Sequence, residues 1–410
     1  MNGLETGLGL RPRHRFGRIR AAETSIFVDK PWSLGYCGAM LADAIDPTTI
    51  HRVLVIKLRH HGDVLLAAPV VRVLRAQIPK AEVDALIYQD SLDMLAFNPD
   101  IHTIHVINRR ARTGPLGQKL AAEWRLLHAL KARKYDLIIH LTEHPRGALL
   151  ARYLKPRYAV TRRYLGRRGR WWRKSFTHLY DIPARQRHTV ETHLDALRRL
   201  GLSVPPEERG LRLIAGEEAS DRIDLRLRNA GFGPQSFIVI HPTSRWLFKS
   251  WPVQSMTALM AQLVRAGHRL IITSGPDAEE KRMVADILAP FAPSAALLDL
   301  SGQLTLKELT ALLQRARLFV GVDSAPMHMA SAVGTPVVAI FGPSGDEEWA
   351  PWQTPARVLT APTSCRPCGL AGCGESGVSD CLAAISVEQV LQAIYELMAE
   401  TRASSSCASS

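Results

Sequence analysis

The stretch LFVGVDSAPMHMASAVGTPVVAIFG, Leu318 to Gly342, decides the fold. It opens on a buried-strand pattern, Leu318-Phe319-Val320, breaks at Gly321 and presents Asp323, Ser324 and His328. A small-residue helix then runs into a second strand pattern, Pro336 to Phe341. Strand, polar turn, helix and strand make the repeating unit of a parallel sheet. Ligands gather where such strands end and helices begin, because free backbone N–H groups and the helix dipole face the crevice there. Asp323 and Ser324 lie at that end, Pro326 suits the first helical turn, and His328 follows within it. A diphosphate fits such a mouth. An ordinary helix cap beside a core histidine fits it too, and the rest of the chain has to decide.

Upstream of this stretch the same alternation holds. Strand Phe237 to Ile240 leads into the loop His241-Pro242-Thr243-Ser244-Arg245-Trp246-Leu247-Phe248-Lys249-Ser250-Trp251-Pro252, and a helix follows to Arg265. Strand Arg269 to Thr273 ends in Ser274-Gly275-Pro276-Asp277, which opens a helix carrying Glu279 and Glu280. Strand Ala296 to Leu300 and helix Leu306 to Ala316 complete the unit. The front of the chain repeats the logic in RVLVIKLRHHGDVLLAAPVVRVLRAQIP, from Arg52. Val53 to Ile56 reads as a strand, His60-His61-Gly62 as a turn, and Val64 to Ala76 as a helix. Gly62 permits close backbone approach. Asp63 reads either as a helix cap or as a carboxylate held where a general base would stand. Strands Val83 to Ile87, Thr103 to Ile107 and Leu137 to Leu141 follow, with helices near Leu92 to Phe97, over Leu116 to Arg133, from Pro145, and over His188 to Leu200.

The expected class is α/β, with two Rossmann-like domains facing across a cleft. Residues 1–50 form a basic extension and 51–205 the first domain, ending at the polar linker Val204-Pro205-Pro206-Glu207-Glu208. Residues 206–385 form the second domain, 386–400 an amphipathic C-terminal helix and 401–410 a tail.

The chain has 410 residues, enough for two sizeable cores, and its 46% hydrophobic and 22% charged content is ordinary for a globular protein. No apolar run is long enough to span a bilayer and no apolar signal region follows the basic N-terminus, so a cytoplasmic location is expected. Lys and Arg exceed Asp and Glu by 52 to 38, a surplus of 14 that calls for an acidic partner: nucleic acid, an anionic membrane or a phosphorylated substrate. The densest run, Arg162, Arg163, Arg167, Arg168, Arg170, Arg173 and Lys174, is interleaved with Tyr164, Trp171 and Trp172. It reads as a solvated basic loop, or as an exposed tryptophan pair suited to a membrane interface, a sugar face or nucleobases. Four cysteines, Cys365-x2-Cys368-x4-Cys373-x7-Cys381, could hold a metal or be redox-labile or structural thiols in a glycine-rich loop.

Three polar loops of the second unit converge if the sheet is doubly wound: Thr243, Ser244 and Lys249 on one, Glu279 on another, Asp323, Ser324 and His328 on the third. The chain has neither a GxxxxGK[ST] loop nor a GxGxxG after a strand, which disfavours Walker-type hydrolysis and dinucleotide redox chemistry. KLRHHGDVLLAAPVVRVLR, HPTSRWLFKSWP, VDSAPMHMASAVGTPVVAIFG and FGPSGDEEWAPW resemble the ADP-heptose:lipopolysaccharide heptosyltransferases, a GT-B glycosyltransferase family. YQDSLDMLAFNPDI and CRPCGLAGCGESGVSDCL look most like its heptosyltransferase III subgroup.

The resemblance implies an inverting transfer of L-glycero-D-manno-heptose from ADP-heptose, a substrate, to the lipopolysaccharide inner core, with no cofactor and no metal. Its Gly-Asp matches Gly62-Asp63, which makes Asp63 the base, and its lysine matches Lys249, opposite the leaving ADP. Thr243 and Ser244 match hydroxyls beside the phosphate. Asp323 would hold heptose hydroxyls, His328 the phosphate side, and the backbone of Ser324, Ala325 and Pro326 would line the diphosphate mouth. By loop position Glu279 would take the ribose and Leu304 would pack near adenine. His61 and Gly62, with Arg163, Arg167, Arg168 and Arg170, would meet the acceptor and its phosphates at the inner face of the inner membrane, with no nucleic acid as partner. An epimerase-like GT-B enzyme and a basic nucleic-acid-binding protein are the alternatives. The first would need catalytic carboxylates bridging both sheets, the second a recognisable reading helix.

Overall fold

The computed structural model describes residues 41–109, 116–167, 169–182 and 187–407, so Arg168 and most of the expected basic extension lie outside the described residues. The first half is built from β1 (Arg52–Ile56), α1 (His61–Leu65), α2 (Ala68–Gln77), β2 (Glu82–Tyr88), β3 (Thr103–Ile107), α3 (Leu116–Ala132), β4 (Leu137–His140), α4 (Pro145–Leu154), β5 (Tyr158–Arg162), α5 (Arg170–Arg173), β6 (His178–Tyr180) and α6 (Thr189–Arg199). The second contains α7 (Glu217–Asn229), β7 (Phe237–His241), α8 (Val253–Arg265), β8 (Arg269–Ile272), α9 (Ala278–Leu288), β9 (Leu297–Asp299), α10 (Leu306–Arg315), β10 (Leu318–Val322), α11 (Ala325–Ala332), β11 (Val337–Phe341), α12 (Asp346–Trp349), β12 (Ala356–Thr360), α13 (Asp380–Ala383) and α14 (Val387–Cys407).

Both sheets are parallel and six-stranded, in the orders β3-β2-β1-β4-β5-β6 and β12-β11-β10-β7-β8-β9. Each is doubly wound, with its strand order reversing between β1 and β4 and between β7 and β10. The C-terminal ends of those central pairs are the crevices of such a fold. β1, β7, β10 and β11 are apolar along almost their whole length because helices cover both faces. The halves also share a core. One buried cluster runs from Val64, Leu65 and Leu95 to Leu312, Phe319 and Met327.

The structure departs from the sequence reading in several places. The helix expected over Val64 to Ala76 is two, α1 and α2, because Pro69 supplies no N–H and starts a new helix after Leu66 and Ala67. The helix expected near Leu92 to Phe97 is a 3₁₀ turn, Gln89–Met94, followed by Phe97 at φ 67°. Residues 41–50 are packed rather than extended: Ile45 and Ile50 enter the first core, and Asp43 pairs with Arg199. The supposed basic loop holds α5 and is flanked by β5 and β6. Its tryptophans part company, Trp171 exposed and Trp172 buried against Phe176 and His140. The C-terminal helix buries Val390, Ile394 and Leu397 as its spacing implies, but continues to Cys407. Among the described residues no helix is long and apolar enough to cross a membrane.

Candidate active site

The two crevices meet at α1 and α11. Strand β1 ends at Ile56, and the chain turns through Lys57 to His60 to start α1, whose first turn carries Gly62 and Asp63. Strand β10 ends at Val322, Asp323 follows, and Ser324 precedes α11 with Pro326 in its first turn. Gly62 lies against the His328 ring, so closely that a Cβ there would stand 3.1 Å from Cδ2. A side chain at 62 would therefore push the two mouths apart. Gly62→Ala is expected to lower the transfer activity that the resemblance implies roughly tenfold while changing the melting temperature little, since misplacing reacting groups by a fraction of an ångström is costly and the neighbour is one ring. Steady-state kinetics and a thermal melt check this.

On the second-half side, Lys249 closes a one-turn 3₁₀ helix, Leu247–Lys249, and its Nζ donates to Asp323 Oδ2 at 2.6 Å. This loop is braced from behind: Trp251 is fully buried with its indole N–H on Ile385 O, and the Ser379 hydroxyl donates to Phe248 O at 2.7 Å. The cysteine-rich segment ahead of α13 thus supports the loop that carries Lys249. Thr243 is fully buried and its hydroxyl donates to Glu280 Oε2 at 2.6 Å, while the Gly275 N–H donates to the same oxygen. Across the gap Arg245 reaches His60 Nδ1 at 3.3 Å, and Trp246 meets the His60 ring edge-on.

The junction is polar but under-satisfied. His61 Nδ1, Ser250 Oγ, Ser324 Oγ and His328 Nδ1 are buried without a hydrogen-bond partner among the described residues. Buried polar atoms are normally paired, so four such atoms around one junction fit a site that receives a polar ligand. Burial pushes His328 down to about 4 against the pull of the Asp323 and Asp63 carboxylates, so at neutral pH it is an uncharged ring.

With this geometry, similarity to known proteins becomes informative. The family model described as glycosyltransferase family 9 (heptosyltransferase) matches residues 123–378. Lipopolysaccharide heptosyltransferase 3 of Escherichia coli is 37% identical over 298 residues, 72% of this chain and 85% of that protein. The chain belongs to glycosyltransferase family 9. Two solved structures share the fold of this family 9 enzyme. The glycosyl transferase family 9 protein of Veillonella parvula DSM 2008 superposes with a TM-score of 0.73 at 22% identity, covering 88% of this chain and 100% of that one. The E. coli ADP-heptose lipopolysaccharide heptosyltransferase II does so at 0.68 and 19%, covering 86% and 99%. The GT-B architecture expected from the resemblance is thus the one observed.

The remaining expected residues of the family 9 enzyme distribute unevenly. Ala325 and Pro326 form the opening turn of α11 beside Gly62. Ser244 is buried, and its Oγ accepts from the Trp246 N–H at 3.4 Å. Glu279 is exposed in the first turn of α9, whereas its neighbour Glu280 turns inward onto the Thr243 loop. Leu304 is half-buried against the shared core. Arg163 pairs with Asp181 at 2.9 Å, and Arg167 donates to Glu143 O. Both, with Tyr164, Leu165 and Arg173, line a surface hollow of about 670 Å³. Arg170 opens α5, exposed. Cys365, Cys368 and Cys373 are exposed free thiols and Cys381 a buried one, and among the described residues no three His, Cys, Asp or Glu side chains gather as a metal site would require.

The sequence reading missed Lys57. Its ammonium is buried just past β1, hydrogen-bonded to Leu141 O at 3.2 Å and to His193 Nε2 at 2.9 Å and ion-paired with Asp63 Oδ1 at 3.6 Å. His193 Nδ1 lies 3.0 Å from Leu66 O, so its proton sits there and Nε2 is free to accept. Lys57 thus anchors Asp63 from within the fold, while Arg59 approaches the same carboxylate oxygen at 3.9 Å from the surface. A lysine inside the apolar run VLVIKL is the one signal that could have found it.

Burial holds Lys57 at about 8, below its ordinary 10.5, with Asp63 opposing. Between those values the unfolded chain binds more protons than the folded one, so stability rises with pH there. The cost of the buried cation is complete below about 8 and gone above 10.5. Urea unfolding should therefore show the parent chain gaining on the order of 2–3 kcal/mol relative to Lys57→Met between pH 7.5 and 10.5, the equivalent of that shift.

Proposed function

We propose that this chain transfers L-glycero-D-manno-heptose from ADP-heptose to a heptose of the lipopolysaccharide inner core, inverting the anomeric centre, at the cytoplasmic face of the inner membrane. The observation that carries the reading is the junction itself. A carboxylate anchored by the first half and the Lys249–Asp323 pair of the second both act on the uncharged His328, against whose ring Gly62 packs. Family membership and the 37% identical lipopolysaccharide heptosyltransferase 3 support heptose as the sugar and the core as acceptor.

In this reading Asp63 takes the proton from the acceptor hydroxyl as its oxygen attacks the anomeric carbon. The bond from that carbon to the phosphate oxygen breaks, and ADP leaves with the electron pair. Lys249 offsets the charge growing on the diphosphate, and the N-terminus of α11 presents its free N–H groups to the same anion. A single displacement by an oxygen on the face opposite the leaving group inverts the centre. Arg163, Arg167 and Arg170 meet the phosphates and carboxylates of the core.

Purified chain incubated with ADP-heptose and a heptose-bearing truncated core should give a product heavier by one heptosyl residue, with stoichiometric ADP. ADP-heptose consumption without such a product, or no reaction with any core acceptor, would refute the assignment.

A further inference from the structure

The chain's net positive charge is concentrated in one segment. Residues 116–174 hold sixteen Lys and Arg against three Asp and Glu, nearly the whole surplus of 14 carried by the full sequence. Just over half of this segment forms the helical layer α3, α4 and α5, which carries seven Lys and Arg against the one acid Glu123 and whose underside packs through Leu130, Ala148, Ala151 and Trp172 onto one face of the first sheet. Its outer side is solvent-facing and carries large apolar groups. Trp124 is 66% exposed, Leu149 57% and Leu165 82%, and Leu120, Tyr153 and Trp171 are exposed beside them.

Two rungs make this a continuous strip. Arg146 of α4 pairs with Glu123 of α3, and Lys131 Nζ of α3 donates to Tyr153 O of α4. Rungs eight residues apart on one helix and seven on the other set the two helices side by side and parallel. Leu120 and Trp124 follow the α3 row facing the seam, and Leu149 and Tyr153 the α4 row facing it, by helical spacing. Both helices begin at the C-terminal edge of the sheet, the edge that carries Asp63, and Arg167 ties the basic loop to Glu143 just ahead of α4.

We propose that the outer face of α3, α4 and α5 docks the enzyme on an anionic lipid bilayer, with Leu120, Trp124, Leu149 and Leu165 entering the headgroup region and the arginines and lysines of α3 and α4 meeting lipid phosphates. Aliphatic side chains exposed among cations are what an interfacial surface needs, because apolar burial and charge attraction add there. A nucleic acid offers phosphates to the cations but nothing for exposed leucines. The proposal rests on the acceptor being a membrane glycolipid, which this orientation would present to the first crevice.

The test uses the full chain and sedimenting vesicles of phosphatidylethanolamine with phosphatidylglycerol, against phosphatidylcholine alone. The parent should bind the anionic vesicles, lose binding as salt rises, and ignore the zwitterionic ones. Trp124→Gln with Leu149→Gln, and separately Arg152→Ser with Lys155→Ser, should each weaken vesicle binding at least tenfold. Melting temperature and transfer to a water-soluble core oligosaccharide should stay unchanged, and transfer to vesicle-embedded acceptor should fall in parallel with binding. Unaltered vesicle binding in both variants would overturn the proposal. So would a dimer that the Trp124 and Leu149 changes dissolve without affecting vesicles, or duplex DNA bound as tightly as vesicles and indifferent to those changes. A chain that binds vesicles but moves no heptose refutes the proposed reaction instead, and one that glycosylates soluble core yet ignores vesicles refutes the docking face alone.

Discussion

Asp63→Asn is expected to lower kcat by about 10²- to 10⁴-fold, the range in which a positioned general base contributes. Asparagine keeps the shape, but it cannot take a proton. The exchange falls on a side chain about one-fifth exposed, anchored to Lys57 at 3.6 Å and approached by Arg59 at 3.9 Å. Removing the carboxylate leaves the buried Lys57 ammonium, 8% exposed in its side chain, without its counter-charge, so a stability loss of up to about 1–3 kcal/mol is expected beside it. The catalytic loss should appear in the chemical step rather than in the KM for ADP-heptose. Single-turnover transfer assays at saturating donor and acceptor measure that step. A fall in proportion to donor affinity alone would place Asp63 in donor binding instead.

Lys249→Met is expected to lower transfer by roughly 10²- to 10³-fold, as removal of one preorganised group facing a developing anion does elsewhere. It also leaves the Asp323 carboxylate, 8% exposed in its side chain, without its 2.6 Å partner. Stranding one member of a largely buried pair costs several kcal/mol, and the one-fifth exposure of Lys249 reduces this to about 1–3 kcal/mol. The two effects separate in the double variant, because Asp323→Asn relieves the stranded charge. Urea unfolding should show stability returning in Lys249→Met with Asp323→Asn, while transfer stays low. Recovery of both would make the pair a structural tie without a part in the reaction.

Much of the architecture was legible because parallel strands buried on both faces appear as uninterrupted apolar runs. Val53 to Ile56, Leu318 to Val320 and Val337 to Phe341 could be placed for that reason. What stayed hidden lacked this signal. β5 and β6 are short and surround the arginine run, and β12 is an edge strand, half-exposed at every residue, so its sequence carries no buried pattern. The polar turns were found at Asp63, Lys249, Asp323 and His328 because they follow such strands directly. Side-chain direction within them was not. A rotation of one residue on α9 decides that Glu280 rather than Glu279 grips Thr243, and a four-residue helix buries Trp172 while leaving Trp171 in solvent. Lys57 eluded the sequence for a related reason. Its acceptors come from Leu141 and His193, 84 and 136 residues further along the chain, and only the folded sheet brings them together.

In the proposed reaction labour divides between the halves, with the base on one and the grip on ADP on the other. Calorimetric titration of ADP-heptose into the Asp63→Asn chain tests that division directly. The expected Kd lies within about twofold of the parent's, with transfer lowered by about a hundredfold or more in the same preparation. A tenfold or greater loss of donor affinity, or transfer at the parent's rate, would contradict it.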